Sequence, residues 1–224
     1  MLLTIAAALT PAAVAAQNSD WAHLNRFREA NEELMKTPDS RRVVFYGNSI
    51  TEVWPKSHPA FFEDNHFVGR GISGQTTQQF LVRFRQDVVN LKPQAVVING
   101  ATNDVAENTG PFNEAATMDN IRSLVEIAEA NGIKVILTST LPAAGFPWNK
   151  AITDAPEKIV SLNKKIKAYA EEKGIPYVDY YSALLGPDGR SIPVELAKDG
   201  VHPTPEGYTI METLILPAVR KIVK

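Results

Sequence analysis

VVFYGNSITE, residues 43–52, decides how the rest of the chain is read. A short apolar run ends at Gly47, Ser49 follows two residues later, and a helix-compatible segment comes next. A serine at the exit of a buried strand sits where an open α/β sheet keeps its ligand crevice. The same turn aims backbone N–H groups into that crevice. Taken alone the stretch fits two readings. Ser49 is a reactive group, or it only caps the helix that follows.

Working outward, strands and helices alternate. Towards the N-terminus, Asp20–Met35 carries Trp21, Leu24, Phe27 and Leu34, predicting a surface helix broken at Thr37-Pro38-Asp39. Towards the C-terminus, Phe67-Val68 reads as a short second strand closed by Gly69, Gly71 and Gly74. Thr76–Leu91 reads as a helix ended by Pro93, and Ala95–Asn99 as a third strand. A helix over Thr117–Ala130 and a strand over Ile133–Leu137 follow. A helix over Ala155–Lys173 leads to a fifth strand over Ile175–Val178. The last helix starts near Pro205, with Pro217 expected to kink or split it. Strands apolar on both faces, alternating with helices and lacking hairpin signals, predict an α/β fold: a parallel sheet covered by helices on both sides. Residues 17–224 are expected to form one domain.

The composition narrows the function classes. Of 224 residues, 44% are hydrophobic and 21% charged, ordinary for a globular chain with a sizeable core. A net charge of −2 without a Lys/Arg run argues against a nucleic-acid partner. There is no cysteine, which excludes a thiol nucleophile, a disulfide and a thiolate metal site. Residues 1–16, MLLTIAAALTPAAVAA, read as the hydrophobic part of a signal peptide ending in Val14-Ala15-Ala16. A basic stretch before them is missing, since Arg26 is the first cation, and a buried N-terminal helix is the alternative. No other apolar run reaches membrane-span length. The expectation is a secreted or periplasmic protein without stable membrane insertion.

Each strand exit is followed by an unusual segment. These are Gly47-Asn48-Ser49, Gly69–Gly74, Gly100–Asp104 and, before the last helix, Asp199–Pro203. In a doubly wound sheet they can converge on one crevice. The chemistry they could share is acyl transfer. Ser49 needs a base in hydrogen-bond contact, and His202 can serve. Asp199, three residues earlier, can hold the imidazole in one tautomer. The Ser49 N–H, the Gly71 N–H and the Asn103 side-chain amide are the candidate donors to an oxyanion.

These four blocks, GNSIT at 47–51, GISGQTT at 71–77, GATND at 100–104 and DGVHP at 199–203, resemble in order those of the SGNH (GDSL-type) hydrolase superfamily. The resemblance implies a flavodoxin-like three-layer sandwich with a five-stranded parallel sheet ordered 2-1-3-4-5. It implies a serine esterase with Ser49 as nucleophile, Gly71 and Asn103 as oxyanion donors, and Asp199 and His202 completing the triad. It implies no metal and no organic cofactor. Position 48 departs from the pattern: the first block usually carries Asp, and here it is Asn.

Blander roles stand beside these. His202 fits a loop histidine or a metal ligand, although only Glu206 lies near it as a further ligand. Asp104 fits a cap on the segment after it, and Arg70 a structural salt bridge. His23, His58 and His66 show no partner pattern and read as surface or loop residues. Trp54, Phe146 and Trp148 read as loop residues that line an acyl or sugar pocket or simply pack.

The reading is a serine ester hydrolase acting on short acyl esters of small molecules or carbohydrates, O-acetyl groups above all. Lysophospholipid or thioester hydrolysis is the alternative substrate class. A non-catalytic carbohydrate-binding module on the same fold is a second class. A phosphate- or nucleotide-binding protein is a third, and GNSIT lacks the glycine run and lysine it needs. Oligomeric state is left open by the sequence.

Overall fold

In strand β1, Val43–Gly47, every residue is buried, because alternate side chains feed two separate cores. A computed structural model describes residues 20–40 and 42–223, and the expected signal peptide at 1–16 lies outside the described residues. Helix α1, Arg28–Lys36, precedes β1. After it come α2 (Ser49–Ser57), α3 (Pro59–Asp64), β2 (Phe67–Gly71), α4 (Thr77–Asp87) and β3 (Ala95–Asn99). The short α5 (Thr102–Val105), then α6 (Glu114–Ala130), β4 (Lys134–Thr138) and α7 (Ala155–Lys173) follow. The chain closes with β5 (Tyr177–Val178), α8 (Tyr180–Leu184) and α9 (Pro205–Ile222).

The five strands form one parallel sheet in the order β2-β1-β3-β4-β5, the order that the resemblance implies. Val44, Tyr46, Val96 and Ile98 point to one face and pack with residues of α4, α6 and α7. Val43, Phe45, Val97 and Ile136 point to the other and pack with α2, α3, α8 and α9. Register then sets up the site. Gly47 pairs with Gly71 on one side and Asn99 on the other, so β1, β2 and β3 end level. The chain turns back at β1, which places a crevice at this rim.

Several sequence expectations shift. The helix expected over Asp20–Met35 begins only at Arg28. Before it, the Asp20 carboxylate accepts the Leu24 and Asn25 N–H groups and holds a run of turns instead. Strand β2 extends through Gly71 rather than closing at Gly69. Helix α4 ends at Asp87, and a 3-10 turn over Val89–Leu91 completes the expected segment. Helix α6 starts three residues early, where the Asn113 side chain caps Ala116 N–H. Pro217 does not split α9, which runs unbroken from Pro205 to Ile222 with Tyr208, Met211 and Ile215 buried before the proline and Val219 after it. Trp54 is not a loop residue. It lies inside α2, 1% exposed, and packs against Phe45, Phe61 and Tyr208. No helix among the described residues is long and apolar enough to cross a membrane.

Candidate active site

Ser49 is the first residue of α2, and it does not cap the helix. Asn48 does, its Oδ1 accepting the Ile50 N–H at 3.2 Å. The Ser49 hydroxyl is therefore left for another partner, the His202 ring, with Oγ 2.8 Å from Nε2. On the far side of the ring, Nδ1 lies 2.6 Å from Asp199 Oδ2. Nδ1–H donating to the carboxylate leaves Nε2 free to accept the serine proton. The other Asp199 oxygen accepts the backbone N–H groups of Val201 and His202 at 3.0 and 2.8 Å. Partial burial pushes the Asp199 carboxyl up, but the hydrogen bonds from His202 and Val201 outweigh it and hold it below the ordinary value.

The other predicted residues lie across the rim. Asn103 sits in α5, 2% exposed, and its Nδ2 donates to the Gln75 carbonyl at 2.9 Å. Ala101, just before α5, is held left-handed at φ 72°, a strained conformation that carries Asn103 into place. Gly71 ends β2, and a Cβ there would meet Glu52 N at 2.2 Å and Asn48 O at 2.5 Å. Its lack of a side chain lets β2 press against the first turn of α2. Gly74, at φ +78°, stands in the open loop beyond, with only Asn108 Nδ2 near its Cβ direction. Asn108 Nδ2 donates to the Gly74 carbonyl at 3.0 Å.

Sequence reasoning missed the side chains that brace this rim. Arg83, fully buried, donates to the carbonyls of Gly47 and Arg70, both at 2.9 Å, and to Gln75 Oε1 at 2.6 Å. It pairs with the equally buried Asp87 at 3.1 Å and lies over the Tyr46 ring. One guanidinium thus ties the ends of β1 and β2 to the segment that Asn103 grips. The signal available was an Arg and an Asp four residues apart on a helix, a spacing usually found at the surface. Asp104 accepts the Thr77 N–H and hydroxyl at the start of α4, beside the Thr76–Gln79 capping box, rather than capping the segment after it as expected. Burial pushes its carboxyl up despite those bonds.

Arg70 makes no ion pair among the described residues. It is buried, donating to Asn31 and Gly69 O, with its guanidinium over Phe27. His58 and His66 do have partners, Glu212 at 2.6 Å and Asp39 at 2.7 Å, each too far along the chain to be read as a pattern. Phe146 is buried. Trp148 is 45% exposed, with its ring 6.0 Å from that of His202 and its Nε1–H donating to Asn108 Oδ1 at 2.9 Å. Among the described residues no cluster of three or more His, Asp or Glu is placed to hold a metal ion.

This geometry can be set beside known proteins. The model of the GDSL-like Lipase/Acylhydrolase family matches residues 45–210. A Bacteroides fragilis protein provisionally described as an acylhydrolase is 57% identical, over 92% of this chain and 99% of its own, with a TM-score of 0.89. An uncharacterized lipoprotein of Bacillus subtilis is 26% identical over 165 residues, 63% of this chain and 68% of its own. An acetylxylan esterase from Geobacillus stearothermophilus, 22% identical over 81% of this chain and 95% of its own, shares the fold with a TM-score of 0.62.

Proposed function

The chain belongs to the GDSL-like lipase/acylhydrolase family, and from that premise we propose that it is an exported serine ester hydrolase removing short acyl groups, acetyl above all, from carbohydrate esters. The observation that carries the reading is the unbroken line from Ser49 Oγ through the His202 ring to Asp199, at 2.8 and 2.6 Å. A serine alone is a weak nucleophile, and this line supplies the base and orients it.

In the mechanism, His202 Nε2 takes the hydroxyl proton as Ser49 Oγ attacks the ester carbonyl. The tetrahedral oxyanion accepts from the Ser49 N–H, the Asn103 amide and a backbone N–H of the 71–74 segment. Gly71 is the donor that the resemblance implies. Gly74 is the more open position, beside the Gln75 carbonyl that Asn103 holds. Collapse breaks the C–O bond to the alcohol, which leaves with the proton from His202, and Ser49 keeps the acyl group. Water then attacks with His202 as base, and the acid and the free serine are restored. Asp199 stays ionised throughout and stabilises the imidazolium.

The Trp148 indole supports a ring-bearing alcohol. Its exposed surface lies beside the base, and its N–H is already bound by Asn108, so the ring is held ready for the apolar side of a sugar. A protein of the same fold is named for acting on acetylxylan, so the fold accommodates such substrates. Export is supported by the apolar residues 1–16 and by the lipoprotein relative.

The test is a panel of acetylated xylo-oligosaccharide, p-nitrophenyl acetate, p-nitrophenyl palmitate, a lysophospholipid and an acetyl thioester, with Ser49→Ala as control. Acetyl esters should turn over in the parent and fall to background in the variant. Equal turnover in both, or none in the parent, overturns the enzyme reading. A preference for the palmitate ester or the lysophospholipid overturns the acetyl reading.

A further inference from the structure

Three consecutive residues beside the site are each gripped from outside their own loop. Gln75 O is held by Asn103 and Gly74 O by Asn108, at 2.9 and 3.0 Å. Ser73 is held by Glu52, whose Oε2 accepts both the Ser73 N–H and the Ser73 hydroxyl at 2.7 Å. Glu52 stands three residues after Ser49, on the first turn of the same helix. Its other oxygen accepts Arg26 at 3.0 Å and Lys56 at 3.3 Å. Only 16% of the side chain is exposed. Partial burial pushes the carboxyl up, yet the bonds from Ser73, Arg26 and Lys56 outweigh it and hold it at about 2.

We propose that Glu52 is a positioning residue that fixes the 71–74 segment to the nucleophile helix, so that the oxyanion donor and Ser49 keep one spacing through the reaction. This rests on the esterase reading above. The physical case has three parts. Hydrogen bonds to an ionised carboxylate are shorter and about twice as strong as neutral ones. Two of them converge on one residue, which fixes its orientation as well as its distance. The clamp also spans the two elements whose relative motion would open the oxyanion site, and small misplacements there cost rate rather than binding. Asn103 and Asn108 hold the same loop from α5 and the turn after it, and among the described residues Glu52 is the α2 side chain that hydrogen-bonds it.

The experiment compares the parent with Glu52→Ala, Glu52→Gln and Ser73→Ala on p-nitrophenyl acetate. Active sites are counted by complete labelling with a fluorophosphonate, and backbone hydrogen exchange is followed at Ser73. Glu52→Ala should lose kcat per labelled site by about 10- to 100-fold with KM within about twofold. Glu52→Gln keeps an acceptor for the Ser73 N–H and should recover part of that loss, and it serves where the alanine variant does not fold. Ser73→Ala removes only the hydroxyl bond and should lose less than Glu52→Ala. The Ser73 amide should exchange faster in Glu52→Ala than in the parent. A Glu52→Ala enzyme whose kcat per site stays within about threefold of the parent overturns the clamp, even if its melting temperature falls. So does an unchanged Ser73 exchange rate. Should the parent itself fail to turn over esters, the esterase reading falls on that result alone, while the exchange rate still decides whether Glu52 holds the loop.

Discussion

The loop that carries Asp199 and His202 builds itself from four consecutive residues, whereas the segments that carry Ser49, Gly71–Gln75 and Asn103 depend on side chains far away in the chain. In the first, one carboxylate receives the ring and two backbone N–H groups of its own turn. Both side chains stay part-exposed, Asp199 at 44% and His202 at 31%. In the second, Arg83, Gln75, Asn103 and Glu52 reach across three strand ends, and the guanidinium at the centre has no exposure. The difference teaches where function and stability separate. A local, part-exposed arm can be stripped of its chemistry without loosening the fold. A buried, long-range arm cannot.

Four tests would sharpen or break that contrast. The largest effect belongs to the local arm: His202→Ala should lower kcat more than about 10⁴-fold, and Asp199→Asn, which keeps an acceptor oxygen for its own turn, about 10⁴-fold, while the thermal midpoint hardly moves. Steady-state kinetics beside calorimetry checks both halves, and a large drop in the midpoint would break the comparison. Next comes Arg83→Met in the buried arm. It leaves Asp87 buried without its ion-pair partner and two strand-end carbonyls without their donor, so urea unfolding should show a loss of about 3–5 kcal/mol.

The third is a pH effect. Glu52 in the folded chain sits at about 2 against an ordinary 4.5. A lowered folded value stabilises the fold above the ordinary value, and that contribution fades as pH falls towards the folded one. Urea midpoints measured from about pH 4.5 down to about pH 2 should therefore fall more steeply in the parent than in Glu52→Gln. Equal slopes would remove Glu52 from the bracing. The smallest effect is expected at Asn48→Asp. The new residue keeps the acceptor for Ile50 and removes a buried Nδ2 that has no partner among the described residues. It also puts a charge at a helix N-terminus, where the dipole favours it. Since the position lies outside the proposed triad, kcat should stay within about threefold.

The same contrast explains what the sequence made legible. Periodicity placed α7 residue for residue over Ala155–Lys173, because both its ends are written locally, by Pro156 near the start and Gly174 at the stop. The D-x-x-H spacing was enough to set Asp199 beside His202, since four residues close that contact. Trp54 reads as a loop residue in the sequence, whereas α2 runs on to Ser57 and holds Pro55 inside it, towards its C-terminal end. Arg83 and Glu52 show in the sequence only their i,i+4 partners, Asp87 and Lys56, and the His58–Glu212 pair shows nothing. The bonds that brace the rim go further: Glu52 reaches Ser73 21 residues away, His58 reaches Glu212 154 residues away, and Arg83 donates to buried carbonyls that no residue type announces.

Everything proposed for this site depends on activation of the Ser49 hydroxyl by His202. That activation is tested most directly by intact-mass and peptide-mapping mass spectrometry after exposure to a fluorophosphonate. One adduct per chain is expected, located on Ser49, absent from Ser49→Ala and strongly slowed in His202→Ala. A protein that stays unlabelled, or one labelled equally in the parent and in Ser49→Ala, would contradict it.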